Sequence, residues 1–152
     1  MANSQAMCTS FKGELLSATH NFSSANPAHT ANTADTFKAA LYLTTASLGA
    51  ATTAYSSTGE VSGTGYTAGG VTVTNATAPT TSGTTAYWTP SASITYTSVT
   101  LSTAFDAVLI YNSSQSNKAV SVHTFGSQTV TAGTFALTMP TNAAGTALLN
   151  LA

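Results

Sequence analysis

There is no arginine in this chain, and only three lysines and four carboxylates are spread over its 152 residues. Charged residues make up 5% of the sequence, where an average domain carries about 25%. Without clustered cations there is no patch to displace counterions from a phosphate backbone, which argues against nucleic acid as a partner. Cysteine is nearly missing too. Cys8 is the only one, so no internal disulfide and no thiolate-built zinc site can form, and a semi-buried, inert thiol is expected. No apolar run approaches the roughly 20 residues that span a bilayer, so no membrane partner is expected. The stretch from Met1 to Ser10 has neither the cationic start nor the apolar centre of a signal peptide. Synthesis and assembly in a cytoplasm are therefore expected.

Groups that could carry out chemistry are also scarce. The acids are Glu14, Asp35, Glu60 and Asp106, no two close in sequence, so a carboxylate pair for glycoside cleavage would have to be assembled in space. Each has a plainer reading. Asp35 opens a strand, Asp106 sits in an apolar strand where it needs a hydrogen-bond partner, and Glu60 ties down its loop. His20, His29 and His123 show no HxH or HExxH spacing, and His123 is expected on the outward face of its strand. No Gly-x-Ser-x-Gly elbow exposes a nucleophile. Gly63-Thr-Gly65 is a superficial match to a dinucleotide fingerprint, but Gly69 and Gly70 follow and no helix does; these glycines are expected to supply positive φ. Asn21, Asn75 and Asn112 begin glycosylation sequons that threonine-rich text produces by chance. The expectation is a non-enzymatic chain with no cofactor and no metal.

What is abundant is threonine, serine, alanine and strand-forming aromatics. Hydrophobic residues at 43% suffice for one core, and disorder would require more charge and less hydrophobicity. A monomer of this mass shows water on the order of 7,000 Å². Small neutral side chains must cover it, which favours an exterior covered by neighbours over one left free in solution.

From Ser10 to Phe22, Phe11, Leu15, Ala18 and Phe22 fall at helical spacing, although Gly13 weakens a helix by about 1 kcal/mol. A short helix or an irregular arm is expected there, and a polar loop with Pro27 and His29 follows. Thr36 to Leu43 alternates as a strand, and Thr44 to Gly70 reads as a long specific loop. Val71 and Val73 begin a second strand, Pro79 to Gly83 a turn, and Tyr87 and Trp88 a third strand. Ile94 and Tyr96 lead a half-exposed strand toward Leu101, and the apolar run Ala104 to Tyr111 suits a central strand covered on both faces. Lys118 to His123 completes a hairpin that Phe125-Gly126 is expected to end. Further strands are expected at Thr134 to Met139 and Ala147 to Leu151. This is the pattern of an all-β, antiparallel β-sandwich, jelly-roll-like, with a short N-terminal helix or arm. It divides into an arm and loop over 1–35 and a sandwich over 36–152, one domain overall.

The loop Ser57-Thr-Gly-Glu60-Val-Ser-Gly-Thr-Gly65-Tyr66-Thr-Ala-Gly-Gly70 and the hairpin strands Ala107-Val-Leu-Ile-Tyr111-Asn-Ser-Ser and Lys118-Ala-Val-Ser-Val resemble a family of small structural proteins of tailed bacteriophages and prophages. Ser10-Phe-Lys-x-Glu-Leu-Leu, Phe37-Lys-x-Ala-Leu-Tyr42 and Gly133-Thr-Phe-x-Leu extend the resemblance over most of the chain. The chain departs from that pattern around the Asn117-Lys-Ala hairpin, where Lys118 is the only charge. The resemblance implies a virion component, a head decoration or cement protein on the outer capsid surface, assembled in a host bacterial cytoplasm. Its implied partners are the major capsid protein and copies of itself, with a trimer expected from the symmetry of shells. Arms and loops carry recognition, so Phe11, Leu15, Glu60, Tyr66 and Trp88 are the candidate interface residues. The competing reading is a tail- or neck-associated adhesion or carbohydrate-binding module, with Tyr87 and Trp88 stacked on sugar rings.

Overall fold

The computed structural model describes residues 2–23, 33–74 and 78–152. Over these residues the chain is all-β, with two antiparallel sheets and one short helix, as its alternating pattern predicts. In chain order the elements are β1 (Ala6–Met7), α1 (Thr9–Leu16), β2 (Phe37–Leu43), β3 (Val71–Thr72), β4 (Thr80–Ser82), β5 (Thr85–Trp88), β6 (Ile94–Asn112), β7 (Lys118–Leu137) and β8 (Leu149–Leu151). The main sheet runs β1-β7-β6-β2-β3 and the smaller one β4-β5-β8. Residues 80–82, expected to be part of a turn, form a strand, and the turn to β5 is confined to Gly83 and its neighbours.

The fold is dominated by the β6–β7 hairpin, whose strands are 19 and 20 residues long. Sequence reading divides each of them in two and ends the second at Gly126. The structure keeps them whole because each slip in the apolar alternation is absorbed by a bulge instead of a turn. Buried side chains on β6 sit at Ile94, Tyr96, Val99 and Leu101, so the period of two becomes three between Tyr96 and Val99. The register shifts at that step, and Ser98 takes a positive φ of 54°. Across the pair, Ala132 does the same at 45°.

These bulges curl the ribbon back over itself. Phe125 and Phe135 would stand about 33 Å apart on a straight strand, yet their ring centroids are 5.3 Å apart and both rings meet Phe105. Tyr96, near the open end, reaches back to donate to the Ala39 carbonyl on β2 at 2.8 Å. The core therefore fills the space beneath the curl, with Phe37, Leu41, Leu101, Phe105, Leu109 and Val122 fully buried. Ala107 to Asn112 is buried without interruption, as the apolar run predicts.

The N-terminal segment is stitched onto this sheet. Ala6 and Met7 pair with Val122 and Ser121 of β7, a two-residue strand too short to show any alternation. Helix α1 stops at Leu16 because Ala18 takes a left-handed φ of 54°. Phe22, expected on the same helix, returns through a loop to stack on Phe37 at 4.4 Å and meet Trp88 edge-on at 4.9 Å. One aromatic cluster thus joins α1, β2 and β5.

Candidate interaction surface

Glu60 anchors the long loop, as its sequence reading suggests. One of its oxygens accepts from the Tyr66 hydroxyl and the Gly69 amide, each at 2.7 Å, and the other from the Tyr55 hydroxyl at 2.6 Å. Burial first, and then the bond to Glu60, push Tyr55 up to about 12 and Tyr66 further still, so both remain hydroxyl donors. Tyr111 closes the clasp by stacking on Tyr55 at 4.7 Å and donating to the Gly69 carbonyl. Glycine is required here for close approach as well as for φ. A Cβ on Gly63 would lie 2.1 Å from the Thr100 carbonyl oxygen, and one on Gly70 would lie 1.7 Å from that of Ala39.

A second knot fastens the N-terminal segment to the hairpin turn. The fully buried His20 ring meets Glu14 at 2.7 Å through Nε2 and the Asn112 amide at 2.9 Å through Nδ1. The Asn112 amide nitrogen also donates to Asp35 at 2.7 Å, and its carbonyl oxygen accepts from the Ser114 amide. This arrangement leaves Nδ1 as an acceptor and places the ring proton on Nε2, facing Glu14. The second Glu14 oxygen receives Lys118 at 2.6 Å. Burial pushes the Glu14 carboxyl up, but the hydrogen bonds and charges of Lys118 and His20 outweigh it and hold it below the ordinary range. Asp35 also accepts from the Asn21 amide and from Gln115.

The last acid, Asp106, finds the partner its buried strand requires in Asn3, at 2.6 Å. All four carboxylates are thus used as internal fasteners, each pinning an arm or loop segment. His123 is half-buried rather than outward, bonded to Ser121 at 2.9 Å, and burial lowers it to about 4. Burial, and then the Glu14 charge, raise the Cys8 thiol to about 11. Among the described residues no three His, Cys, Asp or Glu side chains are grouped to hold a metal, and no helix is long and apolar enough to cross a membrane. His29, Pro27 and the Asn75 sequon lie outside the described residues.

The candidate contact residues fare unequally. Phe11 and Trp88, at 1% and 2% exposed, belong to the interior aromatic cluster, which corrects their placement on a contact surface. Burying a large ring outweighs presenting it to water. Glu60 and Tyr66 hold the loop together from within. Leu15 is partly buried and lines a cavity of about 80 Å³ between α1 and the small sheet, together with Phe11, Tyr87, Trp88, Leu149 and Leu151. Among the described residues the exposed large hydrophobics are Leu16, at 92%, and Leu151, at 40%. Sequence reading passed over Leu16. The available signal was the pair Leu15-Leu16, because adjacent residues on a helix are 100° apart and cannot both face one core.

Compared with protein-family models, curated proteins and solved structures, the chain matches none.

Proposed function

We propose that this chain is a structural protein of a tailed-bacteriophage particle, a decoration subunit that binds the outer shell of the head and stabilises it by bridging shell subunits. The observation that carries this reading is the use of every carboxylate as an internal fastener. Negative charge is drawn into the fold, and apart from the lysines the exterior left to neighbouring molecules is largely threonine, serine and alanine. No charged residue falls between Glu60 and Asp106 or after Lys118, so two strands' worth of surface can be covered without desolvating an ion. The resemblance of the Gly-rich loop and hairpin to phage structural proteins supports the same reading. Many symmetric copies would multiply weak contacts through avidity. The adhesion alternative relies on Tyr87 and Trp88 stacking against sugar rings, and of these two Trp88 is interior while Tyr87 is partly exposed.

The test is mass spectrometry and electron microscopy of purified particles from a lysogen that carries the gene. Many symmetric copies on the head are expected. A few copies at the tail or neck would replace decoration with a connector role, and absence from the particle would refute the virion reading altogether.

A further inference from the structure

We infer that the cavity of about 130 Å³ between the β6–β7 hairpin and the segment before β8 is a binding site for a small, neutral, single-ring aromatic molecule. It exists because the ribbon curls. Ile94 and Leu137 pair at the open end of the hairpin, and Val108 and His123 pair near its turn, yet all four line this one cavity. Ile94, Val108 and Ile110, none more than 3% exposed, are its buried floor. Phe125, Met139 and Leu148 form partly buried walls, and the exposed Thr138 marks the rim.

Size and chemistry together select the guest. Protein interiors leave few voids larger than a water molecule, and an apolar cavity of about 150 Å³ admits benzene. The volume here is close to that, with room for one ring and not for a fused pair. The lining includes no charged side chain, and burial lowers His123 to about 4, so its imidazole is neutral as well. An ion entering the cavity would shed its water without gaining a partner. Phe125 supplies an aromatic surface and Met139 a polarisable thioether, and both favour a ring over an alkyl chain. The polar side chains of the lining are those of His123, Thr124 and Thr138, which suit one hydroxyl on the ring and make phenol a fitting probe.

A second copy of the chain does not supply the ring. Among the described residues the exposed large hydrophobics, Leu16 and Leu151, are aliphatic. The occupant is therefore a free molecule, and the inference does not depend on the virion reading.

Titration of the full chain with phenol, followed by carbon–proton NMR of its methyl groups, tests this. Saturable shifts centred on Ile94, Val108 and Leu148 are expected, with a Kd of about 1 mM or tighter. Benzoate, the same ring carrying a charge, should bind at least about tenfold more weakly. So should phenol to Leu148→Trp, which fills the cavity from its wall, or to Val108→Phe, which fills it from the floor, with circular dichroism to verify folding. The wild-type and benzoate titrations decide the matter even if neither variant folds. No saturable shift up to about 10 mM phenol overturns the inference. So does benzoate binding as tightly as phenol, or phenol binding undiminished in a folded variant with the cavity filled.

Discussion

The two ends of the β6–β7 hairpin are built from one continuous ribbon but by opposite means. At the turn end, Ala107 to Asn112 pairs with Lys118 to Thr124 in a nearly regular register, and buried residues occupy both faces. Glu14, Asp35, His20 and Lys118 converge there to hold the N-terminal segment. At the open end, Ile94 to Phe105 and Gln128 to Leu137 shift register repeatedly, face water on alternate residues and carry no charge. The turn end is fixed by a saturated polar network enclosed in apolar packing. The open end is positioned by curvature, through Tyr96 and the Phe105–Phe125–Phe135 contacts. Rigidity and an available neutral surface are thus assigned to different parts of the same two strands.

If that division is right, substitutions should act very unequally. Asn112→Ala removes the amide that joins His20 to Asp35 and leaves buried partners unsatisfied, so a loss of about 2–4 kcal/mol is expected by urea denaturation. A loss under about 0.5 kcal/mol would show that the turn-end knot is not a unit. Glu60→Gln keeps the shape of the clasp but removes its charge. About 1–2 kcal/mol should be lost, with faster amide exchange from Ser57 to Gly70 and little change at the turn end.

Acid should separate two groups. His123 prefers its neutral form in the fold, since its folded value of about 4 lies below its ordinary 6.5. Its contribution is complete above pH 6.5 and declines as the pH falls toward 4, so His123→Asn should flatten stability across that window. Glu14 is held below its ordinary 4.5, so its contribution is present above pH 4.5 and is lost only at lower pH, as it protonates. A stability curve with no inflection above pH 4.5 would contradict the His123 assignment. The smallest effect is expected at the open end, where Thr129→Lys on the exposed face should change stability by no more than about 0.5 kcal/mol.

Much of this architecture is legible in the sequence. The alternation around Phe37 to Leu43 and the apolar run into Tyr111 specify strands, and the isolation of Glu60 within a glycine-rich loop specifies an anchor. The hairpin's length was hidden because a phase slip at Ser98 or Ala132 looks the same in one dimension whether it marks a turn or a bulge. The destination of Phe11 and Trp88 was hidden as well. An aromatic residue carries the same apolar area toward a core or a partner, and only the meeting of α1, β2 and β5 encloses it.

Composition by itself determined that this chain builds sheets, has little acid–base equipment and presents a surface poor in charge, because those properties depend on which residues are present. Tertiary structure alone decided which distant groups each carboxylate fastens, that the long ribbon curls to enclose a core, and that Leu16 is left exposed. Those outcomes depend on which distant residues meet, and a one-dimensional pattern does not encode the closing of a bent strand onto its own sheet.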